Sequence, residues 1–318
     1  LAVSTVCAVP AVGPGTSDIS LDGSGWLLAS DPRNVGVAEK WWEEPRPEAK
    51  PARVPRTIQE VFPGYSGVAW YWLDVVIPSN PHAGGRYLLR FWDVDYLADV
   101  WVNGTHLGRH EGAQTRFTLD ATGAVKPGSA NRLAVRVLSP WNEVIDGIVR
   151  GQTPHGGYRG LNLGGILDSV EILVAPQVRM DDLFVRADPG TGKVRVEAAI
   201  WSGLKDSVWA SVEFSVAPAT GGEPVSTKAL EEEIQSGAST IRADLQVGSP
   251  RPWQLDDPCL YRATGRIKAA GSSSAGRGGP TTSGSGTGAE TGDGRTAISF
   301  SAVARLPVSR SWTSTLTW

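Results

Sequence analysis

Residues 98–108 read Ala-Asp-Val-Trp-Val-Asn-Gly-Thr-His-Leu-Gly (ADVWVNGTHLG), and the Asn103-Gly104 pair at their centre decides the kind of fold. A two-residue type I′ turn requires positive φ at both central positions, which Asn and Gly adopt at little steric cost, so the flanking runs are predicted to fold back as an antiparallel hairpin. Outward from this point the dominant hydrophobic period is two. Residues 132–138 (RLAVRVL) place Leu133, Val135 and Val137 on one face and Arg132 and Arg136 on the other. Residues 193–201 (KVRVEAAIW) and 241–247 (IRADLQV) alternate likewise, and 207–216 (SVWASVEFSV) direct Val208, Ala210, Val212, Phe214 and Val216 inward. Further strands are predicted over 70–77, 86–93, 99–103 and 169–174 from their Val, Trp, Tyr and Phe content. No stretch of comparable length reads as an amphipathic helix. With 38 Gly and 22 Pro punctuating short strands, the expected class is all-β, built as antiparallel sandwiches.

At 318 residues two domains are expected, with a boundary near Ala175-Pro176 where one strand series closes and another opens. The second series, at about 178–186, 193–201, 207–216, 241–247, 260–268 and 296–303, gives six strands, near the roughly seven of an immunoglobulin-like sandwich. Residues 271–294 are nearly all Gly, Ser and Thr and are expected to form a floppy loop, while 307–318 carry no recognisable pattern. The formal net charge of −3 shows no basic stripe, which argues against nucleic-acid partners. No apolar run approaches the ~20 residues of a membrane helix. Cys7 and Cys259 are expected to be free, since two widely separated thiols suggest neither a disulfide framework nor a metal site. Residues 1–17 begin with a small, apolar run that resembles the end of a signal peptide, so a secreted or periplasmic location is expected, with a disordered N-terminus and a cytoplasmic location as the alternative.

Several motifs then fall in one order. Tyr65-Ser66-Gly67-Val68-Ala69-Trp70-Tyr71-Trp72 runs into Val75-Val76-Ile77-Pro78, and Val100-Trp101-Val102-Asn103-Gly104 is followed by His110-Glu111-Gly112. Pro127-Gly128 precedes Asn131-Arg132-Leu133-Ala134-Val135-Arg136-Val137, and Gly164-Gly165-Ile166 leads into Ser169-Val170-Glu171-Ile172. Near the end, Trp253 and Asp257-Pro258 stand before Leu260-Tyr261. Over about residues 20–268 this succession resembles glycoside hydrolase family 2. The resemblance implies a jelly-roll, galactose-binding-like β-sandwich over 18–175 and an immunoglobulin-like sandwich over 176–306. It also implies a (β/α)8 barrel carrying acid/base and nucleophile glutamates. A barrel needs roughly 250 residues, and little usable sequence follows Val303.

Retaining glycosidases oppose two carboxyl groups about 5 Å apart. The tempting candidate here is Asn142-Glu143, but it follows a sandwich strand rather than a barrel strand, and no catalytic residue is assigned. Asp93, Asp95 and Asp99 lack any calcium-loop signature and are expected in turn and surface roles. His106 and His110, four apart, are expected to share one face of a hairpin strand, but no third ligand accompanies them, so neither a metal nor a cofactor is expected. Ser66 misses the G-x-S-x-G elbow by a residue. Asn103-Gly104-Thr105 matches a glycosylation sequon, but the tight turn explains it better.

The resemblance implies that the loop over 141–163 reaches a substrate pocket, where it offers His155, Tyr158, Arg159 and Asn162; the loop over 56–65 is a second candidate rim. The reading is therefore the non-catalytic front part of a glycosidase, meeting carbohydrate through a parent enzyme whose barrel is missing, with homo-oligomerisation left open. Two rivals stand beside it: a free-standing carbohydrate-binding module, gripping sugar on Trp41, Trp42 or Trp141, and a structural sandwich pair without a sugar site.

Overall fold

The computed structural model describes residues 17–149, 163–254, 256–257, 259–269 and 296–304. Two compact units meet at Ala175–Pro176. The first contains β1 (Ser17–Ser20), β2 (Gly23–Ser30), β3 (Lys50–Val54), β4 (Arg56–Thr57), β5 (Gly67–Ile77), β6 (Arg86–Phe91), β7 (Val94–Asp95) and β8 (Leu97–Val102). It continues with β9 (Thr105–Glu111), β10 (Phe117–Asp120), β11 (Ser129–Ser139), β12 (Val144–Ile145), β13 (Ile148–Val149), β14 (Gly165–Ile166) and β15 (Val170–Ala175). A six-stranded sheet, β3-β2-β5-β11-β8-β9, faces a four-stranded sheet, β1-β15-β6-β10, across an apolar core. This is a jelly-roll β-sandwich.

Alternation fills that core. Leu133, Val135 and Val137 from β11 meet Tyr71, Leu73 and Val75 from β5, Val100 and Val102 from β8, and Leu89, Phe91, Ile172 and Val174 from the opposite sheet. Each side chain of this size removed from water contributes about 1.5–3 kcal/mol, so the inner face dominates the domain's stability. The Asn103-Gly104 turn has φ of 49° and 82°, and it joins β8 to β9 with Val102 opposite Thr105. The Asn103 amide is fully engaged: Nδ2 donates to Ala124 O at 2.8 Å and Asn131 Oδ1 at 2.7 Å, while Oδ1 accepts from the Arg132 N–H at 3.0 Å. The sequon is a turn.

Three expectations are corrected. The strand over 132–138 is not half-buried, because the outer face of the six-stranded sheet carries a second apolar layer of Trp41, Trp70, Trp72, Trp101, Ala134 and Leu138. Arg136 lies within that layer, 1% exposed. Asp99 is not a surface residue either; its carboxylate is buried and ion-paired with Arg136 and Arg109. His106 and His110 do not share a face, because a β-bulge between Val100 and Trp101 inserts one residue: His106 lies opposite Trp101 on the outer face and His110 opposite Ala98 on the inner one.

The second unit is an immunoglobulin-like β-sandwich, with seven strands among the described residues. One sheet joins β16 (Val178–Ala187), β17 (Lys193–Ser202) and β20 (Gly237–Gln246); the other orders β19 (Ser226–Ile234), β18 (Val208–Pro218), β21 (Tyr261–Ala269) and β22 (Thr296–Ala304). Ala210, Val212, Phe214 and Val216 are buried as expected, and Cys259 is a free thiol. β19 was absent from the six anticipated strands. As STKALEEEI it is an edge strand with only Ile234 buried, so its charged positions conceal the period. The expected leader, the Gly/Ser loop over 271–294 and the 307–318 tail lie outside the described residues, as does Cys7.

Candidate functional site

His155, Tyr158, Arg159 and Asn162 also lie outside the described residues. What the structure shows is how the two stems of their loop are held. The entering stem is a small hairpin, β12–β13, closed by Asp146-Gly147 with φ of 51° and 80°. This is a second type I′ turn, and the Asp-Gly pair between Val144-Ile145 and Ile148-Val149 was the sequence signal that reveals it. Ile145 and Ile148 pack against the tryptophan layer.

A buried guanidinium pins this hairpin to the sheet. Arg136 Nη2 donates to Asp146 Oδ2 and, at 2.7 Å, to Asn34 Oδ1, while Nη1 donates to Asp99 Oδ2 at 3.1 Å. Asn34 Nδ2 closes the ring by donating to Asp146 Oδ1 at 2.8 Å. Asp99 is held in turn by Arg109, whose Nε and Nη2 lie 2.9 and 3.0 Å from its two oxygens, and His106 Nε2 stands 3.4 Å away. Burial opposes ionisation of Asp99, but the hydrogen bonds and charges of Arg109 and Arg136 outweigh it, so its pKa lies below the ordinary carboxylate value.

The Asn34 segment is fixed just as firmly. Asp31 accepts the Val35 and Gly36 N–H groups at 2.9 and 2.8 Å and the Trp70 indole N–H at 3.2 Å. A Cβ on Gly36 would stand 2.3 Å from Trp70 Nε1, so only glycine allows this approach. Trp42 stacks on Trp101 at 5.3 Å between ring centroids, Trp101 on Trp70 at 5.2 Å and Trp70 on Trp72 at 6.3 Å. Trp41 is buried and Trp42 and Trp141 are half-buried, so the solvent-facing platform that a free-standing binding module would need is not formed at Trp41. The rings of Trp41, Trp42, Trp70, Trp72 and Trp101 form a packed layer against which the β12–β13 hairpin sits.

The returning stem is β14. It pairs on one side with β4 and on the other with β7, which brings the 56–65 segment directly beside the end of the 141–163 segment. Ile58 N–H donates to Gly164 O at 2.8 Å, Gly164 N–H to Gln59 Oε1 at 3.3 Å, and Gln59 Nε2 to Tyr65 O at 2.7 Å. A Cβ at Gly164 would lie 2.3 Å from the Ser139 side chain, and one at Gly165, where φ is 136°, would meet Arg56 O and Tyr71 Oη at 2.9 Å. The double glycine is there for close approach. Burial pushes the Tyr65 phenol up to about 12, with the charges of Asp31 and Glu143 adding to the effect. Its hydroxyl donates to Val68 O at 2.5 Å, a structural anchor rather than an acid near neutrality. Glu143 itself is exposed on the turn before the hairpin. Among the described residues no group of three or more His, Cys, Asp or Glu is arranged to hold a metal.

Residues 19–176 match the family model described as glycosyl hydrolases family 2, sugar binding domain. A β-glucuronidase of Paenibacillus borealis is 25% identical over 255 residues, covering 74% of this chain and 40% of its own length. The β-glucuronidase of Canis lupus familiaris is 30% identical over 215 residues, covering 58% and 33%. Among solved structures, a putative β-galactosidase from Bacteroides fragilis superimposes with a TM-score of 0.68 at 18% identity, covering 92% of this chain and 41% of that one. The chain thus spans less than half the length of these proteins.

Proposed function

We propose that this chain, which belongs to glycosyl hydrolase family 2 through the sugar-binding domain at residues 19–176, is the non-catalytic front part of a larger O-glycosidase. Its first sandwich braces one rim of a substrate pocket whose acid/base and nucleophile carboxylates come from a (β/α)8 barrel. The observation that carries this reading is the convergence of two loop stems on one point. The 56–65 segment and the returning end of the 141–163 segment are joined through β4, β14 and β7, while the buried Arg136 fixes the entering end. Rigid stems are what a loop needs if its tip is to hold a sugar within reach of chemistry performed elsewhere. His155, Tyr158, Arg159 and Asn162, which lie between these two stems in sequence, are the proposed contacts. The partial coverage of β-glucuronidases and a β-galactosidase supports the same division of labour.

The test is made on a protein extended past Trp318 through the barrel. Asp146→Ala, which releases the entering stem without touching the barrel, is expected to raise KM for an aryl β-glycoside about tenfold, with kcat changed by less than about threefold. An unchanged KM would remove the loop from the substrate site.

A further inference from the structure

Near the β16–β17 turn, the outer face of the second unit's three-stranded sheet gathers cations that its stability does not call for. Arg186 on β16 stands directly opposite Arg195 on β17, and Lys193 lies two residues from Arg195 on the same face. Cβ atoms of residues so paired are about 5 Å apart, and like charges in that position destabilise a sheet. Part of the charge is compensated, since Asp244 accepts from Arg195 Nε and from Lys193 Nζ, each at 3.0 Å. Arg186 has no carboxylate partner among the described residues; its guanidinium carbon lies 5.8 Å from the ring centroid of Phe184, which is itself exposed. Asp188 does not serve it, because its oxygens are engaged within the turn: Oδ1 accepts from the Gly190 N–H at 2.9 Å and Oδ2 from the Thr191 hydroxyl at 2.7 Å. Arg186, Ala187, Asp188, Pro189, Lys193 and Arg195 line a cleft of about 380 Å³. That volume falls within the roughly 300–1,000 Å³ of small-molecule sites.

We infer that this cleft binds a phosphate group, free or as the monoester of a small organic molecule. Three features select that ligand. Asp244 takes one donor from Lys193 and one from Arg195, so the Lys193 ammonium, the Arg195 Nη groups and the whole Arg186 fork retain N–H donors. Three cationic groups match the three terminal oxygens of a phosphate monoester better than the two of a carboxylate. A dianion held between Arg186 and Arg195 also turns their mutual repulsion into two attractions. Finally, the cations are accessible: the side chains of Lys193 and Arg195 are 51% and 47% exposed, and Arg186 is exposed. Ala187 and Pro189 offer an apolar wall for the body of an ester. The cleft belongs wholly to the second unit, so its failure and that of the loop-bracing role are separately detectable.

Isothermal titration of the 318-residue chain with inorganic phosphate and with phenyl phosphate tests the inference, with benzoate as the carboxylate control. At least one phosphate should bind, about tenfold or more tightly than benzoate. Arg186→Ala should weaken that binding by about tenfold or more, and because this side chain is exposed and without an ion-pair partner, the urea midpoint should not fall. Lys193→Ala should weaken binding as well, whereas Arg53→Ala, at an exposed arginine of the first unit, should leave it unchanged. Tighter binding of phenyl phosphate would assign the ester, and equal or tighter binding of inorganic phosphate the free ion. Absence of binding by both phosphates, binding indifferent to Arg186→Ala and Lys193→Ala, or benzoate binding as tightly as either phosphate would each overturn the assignment.

Discussion

Replacing Arg136 with Met keeps an unbranched apolar stem in place of the Arg methylenes and removes the guanidinium. Removing one partner from a buried ion pair typically costs about 3–5 kcal/mol, chiefly because the remaining charge is left without compensation. Here Asp99 retains the two hydrogen bonds from Arg109, and Asp146 is 37% exposed and therefore partly solvated. The cost belongs at the lower end, about 3 kcal/mol. With a urea m-value of about 2 kcal/mol/M, the midpoint of the first domain falls by about 1.5 M. Tryptophan emission is the natural readout, since Trp70 lies directly across the sheet from Arg136. Arg136→Lys keeps the charge and loses the fork, so it should fall between wild type and Arg136→Met. A shift under about 0.3 M for Arg136→Met at unchanged m would refute the claim that this residue fastens the hairpin.

Gly164→Ala should cost about 2 kcal/mol or more by urea unfolding, because its Cβ would stand 2.3 Å from the Ser139 side chain; Ser139→Gly should recover most of the loss, and additivity of the two would contradict the close-approach explanation. Gly104→Val, at φ 82°, should cost about 1–2 kcal/mol while Gly104→Asn, which tolerates positive φ, costs less, both read from thermal midpoints. Because the folded-state pKa of Asp99 is depressed, its stabilisation is complete above the unfolded-state value near 4 and is lost as pH falls through the folded value. Urea midpoints between about pH 5 and pH 2 should therefore fall more steeply for wild type than for Asp99→Asn, and parallel curves would show that the carboxylate is not the group being protonated.

Much of this fold was legible because one-sided burial leaves a period of two in the sequence, as at Val208 to Val216, and because Asn103-Gly104 admits few turn geometries. What escaped notice did so for physical reasons. β2, GSGWLLAS, hides its buried Trp26 and Leu28 among glycines and serines, and β19 presents glutamates on an edge. The alternation of 132–138 was read as water on one side, yet the outer partners Trp70, Trp72 and Trp101 belong to other strands, so only tertiary pairing reveals the second apolar layer. For the same reason Arg136 and Asp99 read as surface charges: their pairing spans 37 residues, and no local spacing records it. The loop of interest was legible as a segment, whereas its anchoring by Asp146 and Asn34 was not, although the Asp146-Gly147 pair carried the turn in plain view.

The proposed division of labour between this chain and a barrel is tested most directly by assaying the purified 318-residue protein on nitrophenyl β-glucuronide and β-galactoside. Release of nitrophenol at the rate of the buffer blank is the expected result. Turnover that persists through purification and disappears in Glu143→Gln would contradict the account, because the chain would then hold its own catalytic acid.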